Sequence, residues 1–337
     1  MKKNILKITS VILLIAMLFV LTGCSNKENG EIGKKSNNKK LSEVVKVGDY
    51  VDYKTNVGNT YTSSTDKTGI DKEQIFETTG KEKWRVLSIE DDGSVNLVSA
   101  EGIVTKFEKE YSLYGESGYK NGVEELNNIS KIFATGEHAV SGRSMKLLDV
   151  VNLIGIDKIA KVYENENEVD LSSYNGEEKL EQAYKLMNEE YGNTYTFDGQ
   201  TKTVNSAFNI SSSMNAFGID KITDDETVID LLKTSNGKTG EYIWLADEIT
   251  DVGKIGREAS YFKCGLATYD VTERKQYTGY TGESISSYIG FETLYNINYN
   301  QITLYPDNFI RAVVTLDKDT KVSNGNGTID NVYILDK

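Results

Sequence analysis

The sequence predicts an α+β domain in which two β-rich ends share one sheet and flank a helical middle. Three observations carry this reading: an Asp-Gly hairpin signal within residues 84–99, helical apolar stripes between 118 and 192, and the apolar run Ile310–Leu316. Helices segregated between β-rich ends argue against a wound parallel sheet, which would alternate strand and helix throughout.

The first folded stretch is Val47-Gly48-Asp49-Tyr50-Val51-Asp52-Tyr53, whose alternation fits a strand. Residues 55–80 are polar and rich in Gly, Thr and Ser, which predicts a long surface loop. Trp84–Ile89 and Val95–Ser99 then flank Glu90-Asp91-Asp92-Gly93, the clearest hairpin in the chain.

In the middle, Val123, Leu126, Ile129, Ile132 and Phe133 recur at helical spacing after Asn121-Gly122. Ser144 is placed to cap a second helix that turns Leu147, Leu148, Val151 and Ile154 inward and stops at Gly155. A third helix is predicted over Glu177–Glu190, and a fourth after Thr223-Asp224-Asp225-Glu226, which has capping-box spacing. Beyond residue 193 the pattern returns to β: a small hairpin over Tyr195–Val204, then strands at Tyr242–Ala246 and Ile310–Leu316. The strand at Ile310–Leu316 and the hairpin at Trp84 are both apolar on both faces, so each needs cover, and a shared sheet supplies it.

The amino-terminal stretch addresses location. Lys2, Lys3 and Lys7 precede an apolar run from Val11 to Leu21, the layout of an export signal. The run is too short to span a membrane, which takes roughly 20 residues. Leu21-Thr22-Gly23-Cys24 resembles the lipobox of bacterial lipoproteins. The resemblance implies cleavage before Cys24 and lipid on its thiol, and two or three acyl chains anchor stably where one is marginal. The expected organisation is a signal peptide at 1–23, a lipidated flexible tether at 24–43, and one extracellular domain at 44–337. Ser25–Lys40 holds one large apolar residue, too little to fold. Its roughly 16 residues span about 20–25 Å as a flexible chain.

Removing the three leader lysines takes the formal charge from -13 to -16. Nucleic-acid binding rests on Lys and Arg against phosphate, so so acidic a protein is not expected to bind it. With Cys24 lipidated, Cys264 is the remaining thiol and no internal disulfide can form.

Further short pieces carry a second resemblance: Trp84-Arg85-Val86-Leu87-Ser88, Gly118–Val123, Gly142-Arg143-Ser144 with Asp149, and Tyr191–Tyr195. Tyr242-Ile243-Trp244-Leu245-Ala246 and Ile310-Arg311-Ala312-Val313-Val314-Thr315-Leu316 continue the order. Together they resemble a family of exported lipoproteins of Gram-positive bacteria, with Ala312 where that family has proline. The Trp-Leu-Ala … Arg-x-Val-Val-x-Leu pattern is also distantly similar to C-type-lectin-like and sulfatase-modifying-factor-like domains, which implies a fold of that kind. No catalytic residue carries over.

Chemistry is sparse in the residues themselves. His138, the one histidine, reads as a solvated loop residue, and with Cys264 it falls short of a zinc set. Cys264 reads as a buried small apolar group, and alone it cannot run the cysteine-pair chemistry of formylglycine generation. Ser64-Thr65-Asp66-Lys67, Ser94-Val95-Asn96 and Lys238-Thr239-Gly240 imitate a penicillin-recognising enzyme, but the first sits in a polar stretch and Ser94 in a tight turn. Asp317-Lys318-Asp319 begins like a calcium loop yet places lysine fifth and Thr328 twelfth. Neither a metal nor a cofactor is expected.

What remains is aromatic. Tyr269, Tyr277, Tyr280, Tyr288, Tyr295 and Tyr299 lie in a region crowded with Gly, Ser, Thr and Asn, so at least three are expected on one exposed face as ligand contacts. The function read from this is a membrane-anchored binding module for an extracellular glycan or protein. The alternatives are a carboxylate-dependent hydrolase, which spacing alone does not reveal, and a structural envelope protein without a small ligand.

Overall fold

The hairpin signal at residue 84 forms the centre of the fold. β-Branched and aromatic residues favour a pleated backbone, and Gly93 takes the left-handed conformation at φ +89° that the Asp-Gly turn requires. In the computed structural model, residues 39–155, 157–158, 170–174, 178, 182, 194–197, 200–203, 225–233, 242–255, 259–278, 282–293 and 307–336 are described. All belong to the unit Asn37–Lys337. Cys24 and most of the helix predicted at Glu177–Glu190 lie outside them.

The strands in chain order are β1 (Lys39–Lys40), β2 (Tyr50–Val51), β3 (Thr60–Ser63), β4 (Gln74–Glu77), β5 (Trp84–Ile89), β6 (Val95–Ser99), β7 (Tyr111–Ser112) and β8 (Ala139–Ser144). They continue with β9 (Thr194–Phe197), β10 (Gln200–Thr203), β11 (Ile243–Ile255), β12 (Ala259–Thr278), β13 (Gly282–Thr293), β14 (Asp307–Ile310), β15 (Ala312–Leu316), β16 (Lys321–Asn324) and β17 (Ile334–Leu335). The helices named here are α1 (Gly115–Lys131), α2 (Leu147–Ile154) and α3 (Glu226–Leu232). Helices and antiparallel sheets are thus combined as α+β.

One five-stranded sheet runs β2-β5-β6-β15-β8 and is antiparallel throughout. The two ends of the domain do share it, since Val313–Leu316 pair with Val95–Val98. A second five-stranded sheet runs β13-β12-β11-β14-β7, with one parallel pairing between β11 and β14. The chain passes from the second sheet to the first between β14 and β15, and Arg311 is the single residue at that crossing.

The core fills the space under the first sheet. Trp84 is fully buried and meets Tyr53 edge-on at 5.4 Å and Phe133 at 6.3 Å. The predicted stripe is correct in phase: Leu126 and Ile129 of α1 are buried with Val123 packed beside them, and Ile132 and Phe133 continue the packing just past the helix end at Lys131. The helix begins earlier than Asn121-Gly122, at Gly115. Gly122 lies within it at a close approach, where a Cβ would come within 2.2 Å of Leu266 on β12.

Three expectations are corrected. Residues 55–80 are not one long loop, because Thr60–Ser63 and Gln74–Glu77 pair as a hairpin. Phe76 anchors that hairpin, fully buried 5.5 Å from the ring of Tyr111. The strand expected at Val47–Tyr53 shrinks to Tyr50–Val51, since Gly48 turns the chain at φ +89°. Ser144 ends β8 instead of capping α2; the cap falls at Lys146, whose N–H donates to Asp149 Oδ2 at 2.7 Å. Gly155 stops that helix as read, at φ +106°.

A fully buried tryptophan makes the core testable. Trp84→Ala is expected to cost about 3–5 kcal/mol, measured by urea denaturation. A loss below about 1 kcal/mol would show that the ring does not hold the two ends together.

Candidate functional site

Four separate segments meet at an open cleft of about 750 Å³. The end of β5 supplies Leu87, Ser88 and Ile89, with Glu90 just beyond; Lys46 and Val47 come from the approach to β2. Helix α2 adds Asp149, Asn152 and Leu153, and the start of α3 adds Asp225, Thr227 and Val228. Helical spacing explains the α2 contribution: Val150, Val151 and Ile154 face the core, so positions 149, 152 and 153 are turned away from it.

The cleft has an apolar floor and a polar rim. Leu87 and Val228 are buried at its base, with Val47 and Leu153 half-buried beside them. Ser88, Thr227, Asn152, Lys46 and Glu90 bring hydroxyl, amide, ammonium and carboxylate groups around that floor.

Its three carboxylates are already engaged within the protein. Glu90 Oε1 accepts from Ser88 Oγ at 2.8 Å and from Asn96 Nδ2 at 2.5 Å. Asp149 takes both ends of the Arg143 guanidinium, at 2.6 and 2.7 Å, besides the Lys146 N–H. Such a bidentate pair fixes the carboxylate in plane and direction. Asp225 Oδ1 caps α3 by accepting the N–H groups of Thr227 and Val228 at 2.9 and 3.4 Å. Behind α2, Asp247 Oδ2 accepts the Leu147 N–H at 2.7 Å. Burial pushes the Asp247 carboxyl above its ordinary value of 3.8, against the pull of the Leu147 N–H and Lys146.

A second buried carboxylate sits under the 60–77 hairpin. Glu125 on α1 is fully buried; its oxygens accept from Tyr61 Oη at 2.8 Å, Lys67 Nζ at 3.0 Å and Ser63 Oγ at 2.5 Å. Burial pushes Tyr61 and Tyr111 up, and the Glu125 carboxylate raises Lys67. Ser63 and Tyr111 are both closed to solvent, and the cluster pins the hairpin to α1.

The Ser64-x-x-Lys67 pattern also resolves here. Ser64 does open a helical turn, Thr65–Thr68, which corrects the reading of this stretch as a polar loop. Its hydroxyl bonds to the Asp66 carboxylate and lowers the pKa of that group, while Lys67 pairs with Glu125, so serine and lysine do not form a nucleophile and base.

The tyrosines divide. Tyr269 is corrected from exposed contact to core: it is fully buried, and its hydroxyl donates to Leu232 O at 3.2 Å while meeting Arg311 Nη1 at 3.3 Å. Tyr277 and Tyr288 lie on paired strands, opposite Glu283 and Thr272 in register, and their side chains fall outside the described residues. Tyr280, Tyr295 and Tyr299 also fall outside them. His138 lies in the turn before β8 as expected, but it is half-buried instead of solvated, at φ +72° with Nε2 2.8 Å from Asp336 O. Among the described residues, no group of three or more His, Cys, Asp or Glu side chains could hold a metal ion. No helix among them is long and apolar enough to cross a membrane.

Set against known protein families, curated proteins and solved structures, the chain matches none.

The raised Asp247 carboxyl gives a signed pH prediction. Its folded pKa exceeds the unfolded one, so it contributes stability present below about pH 3.8 and lost as pH rises through the folded value. Asp247→Asn keeps an acceptor for the Leu147 N–H but cannot ionise. Wild-type stability minus that of the variant should therefore fall between pH 3 and pH 7. A difference that stays flat or rises across that range would refute the assignment.

Proposed function

We propose that the protein is a surface lipoprotein, cleaved before Cys24 and held to the membrane by lipid on that thiol. Its α+β body then serves as a binding module on the extracytoplasmic face. The ligand is an extracellular molecule, and a glycan suits the cleft better than a flat protein surface. The observation that carries this is the cleft itself: about 750 Å³, with an apolar floor and a rim of hydroxyl, amide and charged groups. Small-ligand sites likewise combine apolar walls with placed polar groups. A sugar offers a C–H face to such a floor and hydroxyls to such a rim.

The engagement of Glu90, Asp149 and Asp225 by protein partners favours binding over hydrolysis. A glycoside hydrolase needs one carboxyl kept as an acid and another free to attack or to activate water. In this cleft the carboxylates hold the walls.

A glycan array probed with the full chain should give saturable signals. Leu153→Arg and Asn152→Ala together should weaken the best signal about tenfold or more, with Tm nearly unchanged, since both residues line the cleft. A blank array, or binding indifferent to both changes, would remove the glycan reading.

For the anchor, palmitate labelling in a lipoprotein-processing host should appear in the wild type and vanish in Cys24→Ala. Label that survives the substitution would defeat it.

A further inference from the structure

A second cavity, of about 340 Å³, lies away from the cleft, between the segment leading into β5 and the loop after β6. Its walls include Glu82, Ser99, Ile103, Val104 and Phe133. Two polar atoms on these walls are buried without a hydrogen-bond partner: Glu82 Oε2 and Ser99 Oγ. Ser99 is 2% exposed. It stands opposite Trp84 in the β5–β6 register, so its side chain shares the face on which Trp84 meets Phe133. That is the face onto which the cavity opens. A buried polar atom left unpaired costs free energy, most of all on a carboxylate, so the site favours whatever brings it a donor.

Charge narrows the class of donor. Four glutamates and three lysines line the cavity. Lys83 faces Glu101 at 3.8 Å and Lys106 faces Glu77 at 3.9 Å, loose pairs at the exposed rim. That leaves Glu82 and Glu108 against Lys81, an excess of one negative charge. Glu82 is held through its other oxygen, which accepts from Thr79 N at 2.7 Å and Thr79 Oγ1 at 2.9 Å. Both bonds belong to an exposed turn and engage the other oxygen alone, so Oε2 stays unpaired.

We infer that this cavity is a binding site for a small primary ammonium ligand. The ammonium donates to Glu82 Oε2 and Ser99 Oγ, and an apolar stem lies along Phe133, Ile103 and Val104. The site is independent of the glycan cleft and does not rest on that reading.

The test is a charge series of matched shape: n-butylammonium, n-butanol and butyrate, titrated into the full chain and followed by calorimetry and saturation-transfer NMR. Saturable binding is expected for n-butylammonium, with n-butanol and butyrate at least tenfold weaker. Glu82→Gln should weaken n-butylammonium about tenfold or more, the scale of one charge-assisted hydrogen bond. Ser99→Ala removes an oxygen that holds nothing in the fold, so it should keep Tm and weaken binding less; it serves alone if Glu82→Gln does not fold. Leu153→Arg, in the other cleft, should leave n-butylammonium affinity unchanged. The proposal is overturned if n-butylammonium shows no saturable binding or if n-butanol binds equally well. It is also overturned if affinity is unchanged in the wall variants, or if it is lost in Leu153→Arg.

Discussion

The structure depends on a fully buried cation. Arg311 is fully buried at the crossing from β14 to β15, where the chain leaves one sheet for the other. Burying a guanidinium costs several kcal/mol unless its donors are met. Here Nε and Nη2 donate to Ser99 O at 2.9 and 2.7 Å, and Nη1 donates to Leu231 O at 2.6 Å. One side chain therefore ties the end of β6, the last turn of α3 and, through Tyr269, strand β12 to the same point. The carbonyls at a helix C-terminus carry partial negative charge, which suits them to face a cation. Arg85 acts on the same turn from the other side, with Nη1 on Asp230 O at 3.1 Å, Nη2 on Asp230 Oδ2 at 2.9 Å and Nε on Gly48 O at 3.0 Å. Its guanidinium also lies 4.9 Å over the ring of Tyr50.

This double clamp explains why the cleft has a fixed wall. A seven-residue helix is too short to persist by propensity alone. Held at its last turn by two guanidinium groups and at its start by the Asp225 cap, α3 presents Thr227 and Val228 opposite α2. Helix α2 is fixed in turn by Asp149 on Arg143 and by Asp247 on the Leu147 N–H. A preformed wall lowers the ordering cost a ligand would otherwise meet. The same residues that could have been taken for acid–base catalysts are consumed in holding that geometry.

The parts legible in the sequence were those where local pattern and tertiary demand agree. The Trp84–Ser99 hairpin has its turn residues at the turn and apolar residues on both faces, so both its existence and its burial could be read. The same two-faced apolarity in Ile310–Leu316 called for a covered place in a sheet, and β6 provides it on one side and β8 on the other. The hairpin at 60–77 escaped notice because Thr, Ser and Gln fill many of its positions, and its anchors are the buried Phe76 and the bonds of Tyr61 and Ser63 to the distant Glu125. Tyr269 misled for a related reason. Its downstream neighbours look like surface, yet its ring goes to the core because Arg311 and Leu232 O offer its hydroxyl partners that no nearby sequence announces. The cleft was unreadable in principle, being assembled from segments near residues 46, 88, 150 and 226. Arg311 itself stood in a recognisable motif, but a motif letter does not say whether an arginine faces water or three elements of the core.

Hydrogen exchange in Arg311→Met tests the clamp most directly. The substitution keeps an apolar side chain of similar length and removes every donor to Ser99 O, Leu231 O and the Tyr269 hydroxyl. Amides of residues 229–233 should lose protection by an order of magnitude or more, together with those around Leu266–Tyr269. Amides in the Trp84–Ser99 hairpin should retain theirs. Unchanged protection across 229–233 would contradict the account, because α3 would then hold its place without the buried cation.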